Sequence, residues 1–227
     1  MNSINKTARM AGFLYLIYMA THIISDVWRD SFIVLGDAAA TISNIMAHEG
    51  LFTVTVVGDL LAAALFFLAA WALYVLLEPV NKNLALLFLL LNLAGVVIQC
   101  MSALNLFAAL LLMNGPDYLN VFQVDQLQSL AMFFLDLREK GFTVAYLFYG
   151  VWLFPLGYLV FKSGFLPRIL GIVLMVHCFT WLSTFFQSFL FPGFDAITYV
   201  SYPLGFIAEF GLTLWLLVMG AKEQKPA

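Results

Sequence analysis

Three stretches of this sequence run without charge for longer than a soluble fold tolerates. No Asp, Glu, Lys or Arg occurs from Leu84 to Met113, from Phe142 to Phe161, or from Ile169 to Phe194. About 20 such residues, rising about 1.5 Å each as a helix, cross a hydrocarbon core roughly 30 Å thick. A chain of 227 residues has too little interior to hide runs of this length. Its apolar fraction is 63%, against about 45–50% in soluble domains. The medium around this chain is therefore lipid. In lipid a spanning segment must satisfy its own backbone hydrogen bonds, so the runs are helices rather than open strands.

Hydropathy gives six spans, roughly 9–25, 51–77, 84–113, 141–162, 166–190 and 198–220. No Pro-, Gly- or Ser-rich linker interrupts them, so residues 1–227 are expected to form one all-α membrane domain, a six-helix bundle. Lys6 and Arg9 ahead of Met10–Ile24 imitate a secretory leader. His22, Ser25 and Asp26 stand where a small-x-small cleavage site would fall, so this stretch is expected to remain as the first span. The connection 114–140 repeats apolar residues near every 3.6 positions, at Val124, Leu127, Leu130, Ala131, Phe134 and Leu137. Gln123, Asp125, Gln126, Gln128, Ser129 and Asp136 interrupt it too often for burial in lipid. It is expected to be an amphipathic interfacial helix between spans three and four.

Six spans place both termini and the 2–3 and 4–5 loops on one side. That side carries Lys6, Arg9, Lys82, Lys162, Arg168, Lys222 and Lys225; the other carries only Arg29, Arg138 and Lys140, with most of the acidic residues. The excess of cations predicts that both termini face the cytoplasm. A net charge of −3 from few groups gives no basic footprint for nucleic acid. Cys100 and Cys178 fall inside apolar runs and read as packing residues.

Four sequence blocks resemble an uncharacterised bacterial family of membrane proteins, domain-of-unknown-function family DUF4386. They are Ala8–Leu16, then Leu73-Tyr74 with Pro79–Leu87, then Gly157–Gly171, and finally Ala208-Glu209-Phe210 with Leu214–Leu217 and Gly220. The resemblance touches most spans in order and implies a multi-pass protein of a bacterial cytoplasmic membrane. It implies no activity and no catalytic residues. Members of the family look to have an arginine inside span three, where this chain has Asn92, Gln99 and Asn105 instead.

Independently of that resemblance, Lys162 and Arg168 flank a tight turn in which Gly164 ends one helix and Pro167 suits the start of the next. Ionisable groups within spans cost at least about 2.5–3.5 kcal/mol, so each is a candidate for function. The candidates are His22, Asp59, His177 and Glu209, with the amide of Gln99. His177 and Glu209 each lie eleven residues into adjacent antiparallel spans, roughly 16 Å deep, where a direct hydrogen bond is feasible. His22, Asp59 and Gln99 fall in the outer third, with Asp26, Arg29, His48 and Glu49 expected at the rim of a pocket there. An Asp59–Gln99 hydrogen bond would account for two of these. The imidazoles and carboxylates of His22, His48, Glu49 and Asp59 would suit a metal such as zinc, but no local ligand spacing supports a site.

Pro155 and Pro203 are placed to kink spans, and Gly205 and Gly211 to let helices approach closely. Motifs for nucleophilic serine chemistry, nucleotide binding or haem attachment are absent, and no cofactor is called for. Three functions stay open. The first is a non-catalytic membrane component with lipid, other membrane proteins or itself as partner; it needs least, because each polar residue has a structural explanation. The second is a small-solute or proton-linked transporter using His177 and Glu209. The third is an intramembrane metal-dependent enzyme acting on a lipophilic substrate.

Overall fold

The computed structural model describes residues 3–115, 117–193 and 196–222. Lys225, Asp195 and Phe194, used above in counting charge and apolar length, lie outside these. The described residues are helical and include no strand. In order they form α1 (Ser3–Asp30), α2 (Ala38–Ala47), α3 (Glu49–Leu77), α4 (Lys82–Asn114), α5 (Val124–Val151), α6 (Leu153–Lys162), α7 (Arg168–Leu190) and α8 (Ala196–Gly205). The last span continues through a π-helical turn (Phe206–Phe210), α9 (Gly211–Leu214) and a second π-helical turn (Trp215–Met219). Among the described residues, six helical segments are long and apolar enough to cross a membrane.

The amphipathic stretch of 114–140 is helical from Val124, but no break separates it from the fourth span. Val124–Lys162 forms one nearly continuous helical stretch of 39 residues that contains the apolar fourth span, instead of an interfacial helix followed by a separate span. Arg138, counted above only as a cation of the outer side, is 3% exposed because it meets carboxylates inside the protein. Internal ion pairing accommodates Arg138, whereas Gln123, Asp125, Gln126, Ser129 and Asp136 remain exposed on the outer face of the helix. The first span also extends beyond 9–25, through the polar residues up to Asp30.

Packing divides the chain into two compact units. One comprises Met1–Tyr18, Ala64–Val97 and Thr143–Ala227; the other comprises Met19–Ala63 and Ile98–Phe142. The first has a core that includes Phe66, Leu73, Phe88, Trp152, Leu153 and Leu156, all below 2% exposed or nearly so. Phe66 meets Trp152 edge-on at 5.1 Å and stacks on Tyr18 at 4.1 Å. In the same unit α6 and α7 touch backbone to backbone: a Cβ on Gly157 would lie 2.6 Å from the Gly171 carbonyl oxygen. The turn joining them uses Gly164 at φ +72°, with Pro167 extended just before Arg168. The Ser163 hydroxyl accepts from the Leu166 amide at 3.1 Å and so closes that turn.

The second unit packs Phe32, Ile45, Phe52, Val56, Leu106 and Leu135 together. Within it α2 begins at Asp37, whose carboxylate accepts from the Ala40 amide at 2.8 Å, a conventional N-cap. The two cysteines are free thiols.

Candidate functional sites

In the second unit, His22, Asp26 and Arg29 stand at positions i, i+4 and i+7 of α1, on one helix face. Gly58 of α3 sits directly against the Ser25 side chain; a Cβ there would collide with the hydroxyl. That close approach delivers the next residue, Asp59, to the α1 face. A matching contact between Gly141 of α5 and Ser102 of α4 lies one turn from Arg138. Small residues at both crossings let polar side chains meet with little apolar matter between them.

Asp59 is 1% exposed and accepts two charged hydrogen bonds on one oxygen, from Arg29 at 2.8 Å and Arg138 at 2.7 Å. Arg29 also donates to Asp26, and Arg138 to Glu139. The His22 ring nitrogens lie 3.5 Å from Asp26 and 3.8 Å from Asp59. The Arg138 guanidinium covers the Phe142 ring at 4.9 Å, a cation–π contact within the same cluster. These guanidiniums take the place expected for Gln99, which is itself buried on α4. Arg29, expected at a solvated rim, is 3% exposed.

The same geometry corrects the expected metal set. One ligand atom each from His22, Asp26 and Asp59 falls within 4.8 Å of the others. His48 and Glu49 engage elsewhere: His48 Nδ1 lies 3.2 Å from the Asn44 carbonyl, and Glu49 accepts from Asn114 at 2.8 Å. A divalent ion among His22, Asp26 and Asp59 would face two arginines already bonded to both carboxylates. Like-charge repulsion at such distances opposes it.

The first unit holds a different centre. Glu209 sits in the π-helical turn Phe206–Phe210, one residue after Ala208, which is fully buried. Its Oε1 lies 3.3 Å from His177 Nε2, and its Oε2 accepts from the Tyr15 hydroxyl. Gly205 makes room for the imidazole, since a Cβ there would be 2.6 Å from His177 Nε2. At Gly211 the nearest atom would be an ordinary 3.5 Å away. Thr180 fixes the state of the imidazole. Its hydroxyl donates its single proton to the His177 carbonyl at 2.9 Å, so at 2.8 Å it accepts from Nδ1–H. With Nδ1 protonated, Nε2 and the Glu209 oxygen would oppose two lone pairs. One proton, on either atom, turns that repulsion into attraction. Trp181 and Tyr146 pack at a tilt, 4.5 Å between ring centres, beside the imidazole, and Tyr18 adjoins Tyr15 at 5.6 Å.

The sequence-selected residues therefore fall into two centres: His22 and Asp59 in the second unit, His177 and Glu209 in the first. Tyr15, Thr180 and Arg138 had not been singled out. The i, i+4, i+7 spacing on α1 was available as a signal; the partnership of Arg138 with Asp59, 79 residues earlier, had no local signature.

Helices of this length and apolarity, carrying ion pairs in their interiors, define an all-helical multi-pass membrane protein. The chain matches the family described as "Domain of unknown function (DUF4386)" over residues 10–220, and it belongs to that family. It is also similar to an uncharacterized protein of Archaeoglobus fulgidus, 29% identical over 168 residues, which are 74% of this chain and 85% of that one. Similar sequences thus extend beyond the bacteria from which a bacterial membrane was expected. No solved structure matches the chain significantly.

Proposed function

We propose that this protein is a non-catalytic, proton-linked carrier of a small solute, inserted in a cytoplasmic membrane with both termini inside. The supporting observation is the Tyr15–Glu209–His177–Thr180 centre, whose hydrogen-bond directions call for one proton between imidazole and carboxylate. Ionisable groups within spans mark proton relays and solute paths in membrane proteins. Irregular π turns recur at functional sites, and Glu209 stands in one, just after Pro203 and Gly205. Binding and release of the proton need no covalent chemistry: it arrives from water, rests between Nε2 and Oε1, and returns to water.

The test uses the full chain in proteoliposomes under an imposed pH gradient, offered labelled amino acids, amines and carboxylates. Accumulation of one class is expected, abolished by a protonophore and by Glu209→Gln. No accumulation of any class, or accumulation unchanged in Glu209→Gln, overturns the reading. Reporter fusions at each terminus check the orientation, with cytoplasmic activity expected from both.

A further inference from the structure

Three chain-distant segments of the first unit are tied together at one end of its helices. At the start of α1, the Asn5 carboxamide oxygen accepts from the Ala221 amide at 2.8 Å, and Arg9 donates to the Val218 carbonyl at 3.4 Å. The Lys222 amide donates in turn to the Phe165 carbonyl, in the α6–α7 turn, at 3.1 Å. Gly220 permits the first tie: it ends the last span at φ +68°, and a Cβ there would collide with Asn5 Oδ1. Lys6, Arg9, Lys162, Arg168 and Lys222, all exposed, stand on or beside the tied residues. We infer that this junction binds one phospholipid whose headgroup carries two phosphates. The assignment does not rest on proton coupling at Glu209.

The charge at this junction is uncompensated. Among the described residues, none of the five cations forms an ion pair. The described carboxylates of the first unit are Glu78 and Glu209. Glu209 is committed to Tyr15 and His177, and Glu78 stands in the α3–α4 connection, which none of these ties joins. Two of the cations are also held in place by rings. The Arg168 guanidinium lies 5.7 Å over Phe161, and the Lys162 ammonium 5.9 Å over Tyr158. A ring face steadies a cation electrostatically but supplies no oxygen to its N–H groups, which stay ready for an outside acceptor.

Membrane orientation requires only that cations lie on the correct side. It does not require segments 209 and 216 residues apart to be bonded together among them. Gathering is what recognition needs. A phosphate supplies the missing acceptor, being anionic, rich in oxygen and present at the membrane surface, where basic clusters between helix ends hold such headgroups. Two phosphates on one lipid answer five cations better than one does, and they can bridge α1 and the α6–α7 turn. Phe13, Ile169 and Val218, exposed on the same three segments, offer apolar surface to the acyl chains.

Native mass spectrometry of the full chain in detergent tests this, by titration with cardiolipin, phosphatidylglycerol and phosphatidylcholine. One retained cardiolipin is expected, bound at least about tenfold more tightly than phosphatidylglycerol supplied at matched phosphate. The double variant Lys162→Gln/Arg168→Gln, at two exposed positions, should weaken cardiolipin at least about tenfold. Lys82→Gln, which removes a cation that the sequence places on the same side but outside the junction, should leave it unchanged. A thermal midpoint in lipid-free detergent within a few degrees of the parent confirms that each variant is folded. The parent alone decides the first point: equal affinity for the two anionic lipids at matched phosphate means a response to charge and overturns the assignment. Undiminished binding by the double variant, or an equal loss in Lys82→Gln, would do the same. Displacement of cardiolipin by equimolar inorganic phosphate would assign the cations to a soluble anion instead.

Discussion

The two buried centres solve the same problem, charge inside an apolar helical protein, with opposite chemistries. In the second unit, Asp59 is held by two guanidiniums that stay charged at any physiological pH. In the first unit, Glu209 is held by a phenol and an imidazole, groups whose protonation can change. Permanent charges lock a structure; weak acids and bases exchange protons without dismantling it. The comparison teaches that burial alone does not mark a candidate proton site. The identity of the partner does.

The sharpest way to break this contrast is to remove the central carboxylate of each centre. Asp59→Asn leaves two buried guanidiniums facing a neutral amide, and breaking a buried pair typically costs about 3–5 kcal/mol. We expect the largest fall in thermal stability of any single variant discussed, measured by tryptophan fluorescence in detergent. In a double-mutant cycle with Arg138→Leu, the two losses should fail to add by at least about 0.5 kcal/mol. An Asp59→Asn protein as stable as the parent would mean that the arginines do not depend on this carboxylate.

Gly205→Ala comes next in size. The new methyl would sit 2.6 Å from His177 Nε2, so either α8 or the imidazole must shift. Overpacking of this kind costs about 1–3 kcal/mol. Gly211→Ala, six residues on, meets nothing closer than 3.5 Å and should be neutral or slightly stabilising, as alanine is the better helix former. Equal effects at the two positions would show that Gly205 serves the backbone and not His177.

Glu209→Gln should be milder than Asp59→Asn, by contrast with its effect on transport. The amide oxygen can still accept from Tyr15, and its NH₂ can donate to His177 Nε2, supplying with a fixed hydrogen the donor that two opposed lone pairs lack. A loss of no more than about 1 kcal/mol is expected in the same melt. A loss as large as that of Asp59→Asn would erase the distinction between the locked and the exchanging centre.

Much of the fold was legible because lipid imposes a simple rule: uncharged runs of bilayer length must be helices. Hydropathy therefore located the six apolar segments but misjudged where α1 ends and where the helix of the fourth span begins, since a polar residue reads the same whether water or a partner satisfies it. Asp125 and Asp136 are exposed, whereas Arg138, two residues after Asp136, is buried against Asp59. No local pattern separates those cases. His177 and Glu209 could be matched by depth because adjacent antiparallel spans allow simple counting. Arg138 could not, because it had been assigned to a surface connection, and the glycine–serine crossings that bring Asp59 to its partners depend on helix packing.

The smallest effect concerns the residues that the sequence grouped with His22 and Asp59 as metal ligands. His48 is exposed, with its ring against the Asn44 carbonyl, and Glu49 accepts a single hydrogen bond from Asn114. Surface substitutions away from special features stay within about 0.5 kcal/mol, so His48→Ala and Glu49→Gln should melt with the parent. Elemental analysis of protein purified after growth with added zinc sharpens the point. If His22, Asp26 and Asp59 hold a metal despite the arginines, Asp26→Asn lowers the zinc content and His48→Ala does not. If the original four-residue set were correct, His48→Ala would lower it too. With guanidiniums on both carboxylates, we expect neither variant to differ from the parent, leaving the second unit a cluster in which arginine does what a metal would do elsewhere.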